Sequence, residues 1–212
     1  MIKKYFSIAP SAVLAGMSIA FGGMVFLSVD NKIIGALLFT IGLFSVCTFG
    51  FHLFTGKVCY VFDNNGSYTA QLPLIWLCNF IGTWIVAATV KATRNAPAMI
   101  EKASTMCQVK TSDNLISLFL LGMLCNIFIY IAVEGFKSNQ HELGKYLSLL
   151  FGVMVFILSG TEHCVADMFY FCVAGGWTIR TVLCLLVISA GNAAGGILFR
   201  LLHNWKVKSI DK

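Results

Sequence analysis

The sequence predicts an all-α membrane protein with six transmembrane helices, arranged as a 3+3 inverted repeat in which helices 2 and 5 are broken. Three observations predict this fold. The chain of 212 residues is 58% hydrophobic and only 11% charged, whereas a soluble domain carries about 25% charged residues. Six apolar segments are long enough to cross a bilayer, which takes about 20 residues. The second and fifth segments are longer than one straight helix needs, and each contains a polar interruption.

The six predicted spans are separated by polar connectors, of which the longest is a loop over residues 91–113. The spans are Ile8–Val29, Ile33–Phe62, Pro73–Val90, Asn114–Val133, Tyr146–Gly175 and Thr181–His203. Lys3 and Lys4 precede the first span, as they would in a signal peptide. This apolar stretch is longer than the core of a cleavable signal peptide, so we interpret it as a retained span.

Three landmarks occur in the same order in two halves of the chain, residues 8–90 and 114–203. The paired landmarks are Gly16 with Gly122, Thr55 with His163, and Asn79 with Asn192. Because each half has three spans, the second half must cross the membrane in the opposite direction. Inverted repeats with broken helices place the substrate path at the repeat interface, near the membrane midplane. Residues 1–212 are therefore predicted to form a single transmembrane transporter domain.

The charge balance of +6, from 15 Lys and Arg against nine Asp and Glu, indicates basic loops and termini, and no nucleic-acid partner is expected. The positive-inside rule favours cytoplasmic termini, and we expect a multi-pass protein of the plasma (inner) membrane. A basic cluster on the opposite side departs from that rule and needs a separate reason. It consists of Lys91, Arg94, Lys102 and Lys110.

The eight cysteines do not indicate a metal or redox site. No CxxC motif occurs, and seven of the eight lie in apolar segments, where free cysteine behaves as a small packing residue. The consecutive residues Glu162, His163 and Cys164 cannot converge on one ion from a helix. We therefore expect no metal, no cofactor and no catalytic residue.

His163 is the principal candidate for a functional residue. It lies in the second interruption at bilayer depth, where ionisable side chains usually face a protein interior or an aqueous path. An imidazole can donate or pass a proton near neutral pH. The neighbouring Glu162 is expected to satisfy backbone donors that the interruption exposes.

The first interruption contains Thr55 and Lys57. The hydroxyl of Thr55 is expected to hydrogen-bond a passing anion or His163, or else to cap freed backbone groups. The ammonium of Lys57 can extend to the membrane interface.

Three amides and five apolar side chains in the spans have two interpretations each. Asn79, Asn126 and Asn192 either bridge the broken helices or line a pore. The apolar side chains either pack as in any helix pair or form a constriction that admits only small, dehydrated species. They are Phe39, Leu43, Leu53, Phe54 and Phe156.

Three motifs, together with the six-span repeat, resemble the formate/nitrite transporter family over nearly the whole chain. The motifs are LFTG at 53–56, GTEHCVADMF at 160–169 and GNAAGG at 191–196. The resemblance implies an aquaporin-like protomer, a homopentamer with one pore per subunit, and passage of small monovalent anions such as formate, nitrite or hydrosulfide. One position departs from the family pattern, because His52 stands where an acidic residue is often found.

The resemblance also implies roles for individual residues. It assigns His163 as the central pore histidine, Thr55 as the threonine near it, and Lys110 as the lysine that gives the pore mouth a positive field. A positive field at the mouth would explain the basic cluster, since it draws anions in. The positions that the family uses for its two hydrophobic constrictions are Leu43, Phe54 and Phe156.

These assignments predict channel-like, proton-coupled transport of a weak monoacid, with the anion and membrane lipid as the partners. Lys110 attracts the anion, and protonation by His163 or under its influence yields a neutral acid that crosses the dry constriction at low cost. A hydrosulfide channel of the same family is the nearest alternative. A water or glycerol pore is disfavoured because the aquaporin boxes are missing. A membrane-embedded enzyme that uses Glu162 and His163 is disfavoured because the sequence contains no further polar cluster.

Overall fold

The computed structural model describes the backbone of residues 2–210 and the side chains of residues 7–205. Its regular elements are all helical, which confirms the predicted all-α class. The ten α-helices are α1 (Ile2–Ser28), α2 (Lys32–Phe49), α3 (Phe54–Val58), α4 (Gly66–Thr69), α5 (Leu72–Lys91), α6 (Ala96–Ser112), α7 (Leu115–Ser138), α8 (Glu142–Leu158), α9 (Cys164–Ala174) and α10 (Ile179–Ile210), with a 3₁₀ turn at Val61–Asp63.

Five stretches of the described chain are helical, long and apolar enough to cross a membrane. They are Ser7–Ser28, Lys32–Phe49, Gly66–Lys91, Leu115–Ser138 and Ile179–Trp205. The remaining predicted span, Tyr146–Gly175, corresponds to α8 and α9, which have 17 and 11 residues. Helix α9 is too short to cross alone, and α8 is at the lower limit of about 17 residues.

Helix α2 ends at a glycine inside the second predicted span. Gly50 has a φ of 69°, and its N–H donates to the carbonyl of Val46. This left-handed geometry is readily adopted only by glycine, and it terminates the helix. Residues 51–53 are not helical, and α3 then begins at Phe54.

The fifth predicted span is divided in the same way. Helix α8 ends at Leu158, Gly160 has a φ of 67°, and α9 begins at Cys164. The backbone N–H and hydroxyl of Thr161 both donate to the carbonyl of Phe156, at 3.2 and 2.9 Å. The polar residues 159–163 therefore form a turn between two helices.

Helix α9 lies in the interior of the molecule. Every residue from Cys164 to Val173 is buried, and the helix packs against α5, α6, α1 and α10. A helix that is buried on all sides belongs to the core. The turn before α9 and its first residues are therefore enclosed by protein.

The prediction of a loop over residues 91–113 is wrong, because this segment contains the 17-residue helix α6. Its buried side chains recur every three or four residues and face α9. They are Ala96, Met99, Ala103, Cys107 and Lys110. So narrow an apolar stripe between polar residues does not stand out by hydropathy alone.

Polar contacts attach α6 to its neighbours near its middle and at its C-terminal end. The guanidinium of Arg180 donates to the carbonyls of Thr111, at 3.0 Å, and Asp113. The ammonium of Lys102 lies 2.7 Å from a carboxylate oxygen of Asp30. Because this hydrogen bond favours the charged carboxylate, it lowers the pKa of the exposed Asp30.

Candidate functional site

Asn192 on α10 organises the turn before α9. Its Oδ1 accepts a hydrogen bond from the N–H of Cys164 at 2.9 Å. Its Nδ2 donates to the carbonyls of Gly122 and Glu162, both at 2.8 Å. One amide thus satisfies three backbone groups, which would otherwise be costly to bury.

Asn79 on α5 makes the equivalent contacts at the turn before α3. Its Oδ1 accepts from the N–H of Phe54 at 2.8 Å, and its Nδ2 donates to the carbonyls of Ala12 and His52 at 2.7 and 3.0 Å. These bonds make Ala12 the counterpart of Gly122. The predicted match of Gly122 with Gly16 is therefore displaced by about one helical turn.

Asn126 on α7 joins the two turns. Its Nδ2 donates to the carbonyl of Thr55 at 3.1 Å and to that of Asn192 at 2.7 Å. Its Oδ1 has no hydrogen-bond partner within the part of the chain that the structure describes. All three amides thus contact backbone groups at or beside the helix breaks, which is the first of the two predicted alternatives.

His163 connects the start of α9 to the first turn. It is 2% exposed, and its Nδ1 accepts from the N–H of Ala166 at 3.1 Å. Because a backbone N–H can only donate, Nδ1 carries a lone pair and the proton of the neutral ring lies on Nε2. Nε2 is 3.0 Å from the hydroxyl of Thr55, so we assign this contact as a donation from His163 to Thr55.

Lys110 does not present a free charge, because it is enclosed by two carboxylates. Its ammonium is hydrogen-bonded to the carboxylate of Glu162 and lies 3.0 Å from Oδ1 of Asp167. All three side chains are buried, with Asp167 only 1% exposed. The second oxygen of Asp167 has no hydrogen-bond partner among the described residues. The fully ionised cluster thus carries one net negative charge, and one bound proton makes it neutral.

The prediction that the carboxylate of Glu162 satisfies backbone donors at the interruption is wrong. Its carboxylate contacts Lys110 rather than backbone donors, since Asn192 and His163 already accept the N–H groups at the start of α9. Asp167 is a site residue that the sequence reasoning missed. Its position as the single charge in the apolar run after His163 is a signal that could have identified it.

Two cavities are lined by residues of the two helix breaks. The first has a volume of about 330 Å³, and its lining includes Phe26, Lys32, Lys110, Phe156, Glu162, His163 and Asp167. The second has a volume of about 120 Å³, and its lining includes Val46, Leu53, Gly56, Lys57, Phe136 and Lys137. Many lining positions are related by a constant offset of 110 residues, as for Val46 and Phe156, or Lys57 and Asp167.

Two of the predicted constriction residues line the cavities, and the other three pack in the hydrophobic core. Phe156 lines the first cavity and Leu53 the second, and the ring of Phe156 stacks on His163 with a centroid separation of 5.6 Å. Leu43 and Phe54 belong to the surrounding hydrophobic core. Phe39 is also in the core, and its ring meets Phe156 edge-on at 5.8 Å.

Comparisons with known proteins agree with this architecture. The model of the formate/nitrite transporter family matches residues 2–206. The formate channel FocA of Haemophilus influenzae is 29% identical over 149 residues, which cover 66% of this chain and 52% of that protein, so the chain spans about half its length. The nitrite transporter NirC of Salmonella typhimurium is 25% identical, with 92% of this chain and 81% of that protein covered.

A solved structure described as a pentameric formate channel with formate bound has the same fold. It is 22% identical, the match covers 97% of this chain and 98% of that one, and the TM-score is 0.81. The family consists of transporters, which confirms the prediction of a transport protein rather than an enzyme. On the match over residues 2–206, the chain belongs to the formate/nitrite transporter family.

Proposed function

We propose that this chain forms a pore for small monovalent anions of the formate/nitrite type, and that passage is coupled to a proton. The observation that carries the proposal is the buried 3.0 Å contact between His163, which lines the first cavity, and Thr55, whose neighbours Leu53 and Gly56 line the second. Related proteins named as formate channels and nitrite transporters support the substrate class.

We further propose that the fold is a 3+3 inverted repeat with an aquaporin-like protomer. In this arrangement α2 with α3 forms one broken span and α8 with α9 the other. The matching hydrogen bonds of Asn79 and Asn192 support it, as do the lining positions at a constant offset. The pentameric relative supports a homopentamer. We place it in the plasma membrane with cytoplasmic termini, the orientation that the positive-inside rule favours.

The mechanism depends on the cost of moving a charge through the contact between the cavities. A bare anion loses its hydration there, whereas the neutral acid loses little. The Nε2–H of His163 is a donor aimed at this point, and the neutral ring offers hydrogen bonding without a fixed charge. A passing acid replaces the hydroxyl of Thr55 as the acceptor of the Nε2–H bond. When the acid leaves, the hydroxyl accepts this bond again.

The proton comes from the side of the first cavity. Nδ1 of His163 is occupied by the N–H of Ala166, so the ring cannot take a second proton without losing that bond. The cluster of Lys110, Glu162 and Asp167 lines the same cavity and is neutral only with one bound proton. A carboxyl of the cluster can therefore protonate an incoming anion and recover its proton from water.

Flux into liposomes tests the proposal. The purified protein is reconstituted with a pH dye inside, and uptake of formate, nitrite, lactate and hydrosulfide is followed as the external pH is lowered. We expect at least one anion to enter faster at lower external pH, with acidification of the lumen. Uptake no faster than in protein-free liposomes would exclude the pore, and uptake without a pH response would exclude proton coupling.

A further inference from the structure

We propose that the hydroxyl of Tyr170 is a binding group of the first cavity, and that it selects anions with two oxygen atoms over hydrosulfide. This proposal rests on the proposed function and deepens it by naming the substrate class. The anion accepts a hydrogen bond from Tyr170 on one oxygen and takes the transferred proton on the other.

Tyr170 stands on the face of α9 that lines the first cavity. The lining residues of this segment are His163, Ala166, Asp167 and Tyr170. The last three follow His163 by three, four and seven residues, a spacing that keeps side chains on one side of a helix. Asp167 and Tyr170 are three residues apart, so their side chains are neighbours on the helix surface.

The hydroxyl of Tyr170 has no partner in the described part of the protein. The residue is 5% exposed, and no group in residues 7–205 donates to its oxygen or accepts its proton. The hydroxyl is not sealed in by protein either, unlike Oδ1 of Asn126 and Oδ2 of Asp167. It therefore faces the cavity that the residue lines. A buried phenol usually finds a hydrogen-bond partner, so we expect a ligand in the cavity to supply one.

Tyr60 shows what such a hydroxyl binds when a carboxylate is within reach. The offset of 110 residues that relates the two cavity linings pairs Tyr60 with Tyr170. The hydroxyl of Tyr60 donates to a carboxylate oxygen of Glu134 at 2.5 Å. Tyr170 makes no such bond, since the two carboxylates of its cavity are held by Lys110. The position facing Tyr170 therefore suits an oxygen of a small carboxylate or of nitrite.

The place of Asp167 beside Tyr170 accounts for both oxygens of the anion. One oxygen accepts the hydrogen bond of Tyr170, and the other receives the proton of the Asp167 carboxyl. The O–H bond of Asp167 breaks as the new O–H bond forms, so the anion becomes the neutral acid. Asp167 is left as a carboxylate beside Lys110 and recovers a proton from water. Hydrosulfide has a single sulfur atom, and because sulfur is a weak acceptor, this ion cannot use both groups.

Flux into liposomes with formate, nitrite and hydrosulfide as probes tests the assignment. Tyr170→Phe keeps the ring and removes only the hydroxyl, so the unfolding midpoint in detergent should stay at the wild-type value. We expect the half-saturating concentrations of formate and nitrite to rise about tenfold, the low end for a hydrogen bond to a charged group. The half-saturating concentration of hydrosulfide should change much less.

Tyr146→Phe is the matched control, because Tyr146 is 48% exposed and belongs to neither cavity lining. Formate kinetics of Tyr170→Phe that equal those of Tyr146→Phe would overturn the proposal, and so would an equal rise for hydrosulfide or a wild-type protein that carries hydrosulfide alone. A wild-type protein that carries formate and excludes hydrosulfide would agree with it, and the formate comparison then decides the role of Tyr170. Absence of any anion flux in the wild-type protein would instead remove the proposed function itself.

Discussion

Nε2 of His163 lies 3.0 Å from the hydroxyl of Thr55, although the two residues are 108 positions apart in the chain. The bond joins the turn before α9 to the first residues of α3, which belong to different halves of the sequence. His163 lines the first cavity, and the neighbours of Thr55, Leu53 and Gly56, line the second.

Replacement of Thr55 by Val should weaken both the fold and the transport. Valine has a similar shape but leaves the Nε2–H of His163 buried without a partner, which costs about 1–3 kcal/mol. We expect a lower thermal unfolding midpoint in detergent and slower formate flux. Thr55→Ser keeps the hydroxyl and should restore both; a Val variant with wild-type stability and flux would show that the bond contributes nothing.

Replacement of His163 can distinguish its structural bond from its transport role. Asn is a good residue at a helix N-cap and can accept from the N–H of Ala166 in place of Nδ1, but it lacks the Nε2 donor. His163→Asn should therefore fold as the wild type does and lose proton-linked uptake. His163→Phe loses both groups, so its unfolding midpoint should fall as well. Unchanged pH-sensitive uptake by either variant would exclude His163 from the mechanism.

Replacement of Lys110 by Met should destabilise the protein strongly. Removal of one partner from a buried ion pair costs about 3–5 kcal/mol, and here two carboxylates would be left facing each other. The triple variant Lys110→Met, Glu162→Gln, Asp167→Asn removes the charges together and should regain most of the unfolding midpoint. If the single variant is as stable as the wild type, the cluster is not the buried unit described above.

Replacement of Asp167 by Asn should strengthen the binding of anions at the first cavity. The amide keeps the shape of the carboxylate and leaves Lys110 paired with Glu162 alone, so the cavity loses one negative charge. We expect the half-saturating formate concentration on that side to fall about threefold and its dependence on external pH to weaken. If the formate kinetics equal those of the wild type from about pH 5 to about pH 8, the cluster does not hold the proton.

Replacement of Asn192 by Ala should open the turn before α9. Three backbone groups lose their partners, so we expect a loss of about 2–4 kcal/mol, visible as a lower unfolding midpoint. Asn79→Ala removes the equivalent three bonds and should cost a similar amount. Asn64→Ala, in an exposed connector, is the control; equal midpoints for all three variants would contradict the role given to the buried amides.

Much of the fold follows from the sequence because the membrane restricts it. A chain with this hydropathy must satisfy its backbone in helices. Helix α5 agrees with its predicted span within one residue at both ends, α1 does so at its C-terminal end and α7 at its N-terminal end. Gly50 and Gly160 mark the ends of α2 and α8, since both have a positive φ. The helix α6 could not be predicted in the same way, because its buried face is set by packing against α9.

Most residues of the site were predictable, with Asp167 the exception, but most of their contacts were not. Contact with His163 was one of three roles expected for the Thr55 hydroxyl, and the two side chains lie 3.0 Å apart. The charge state of the pore mouth was not predictable, because Lys110 lies in a different segment from Glu162 and Asp167 and their pairing depends on the placement of α6. The symmetry of the asparagine bonds likewise became clear only from the positions of the carbonyls that they contact.

The buried cluster has a consequence for how the chain is assembled during synthesis. Asp167 and Glu162 would enter the bilayer as unpaired charges, which is costly at membrane depth, unless a cation is already nearby. Lys110 is synthesised 52 residues before Glu162. Helix α6 can therefore already be folded when the segment with Glu162 and Asp167 leaves the ribosome. We expect the second half of the protein to insert poorly when it is expressed without the first.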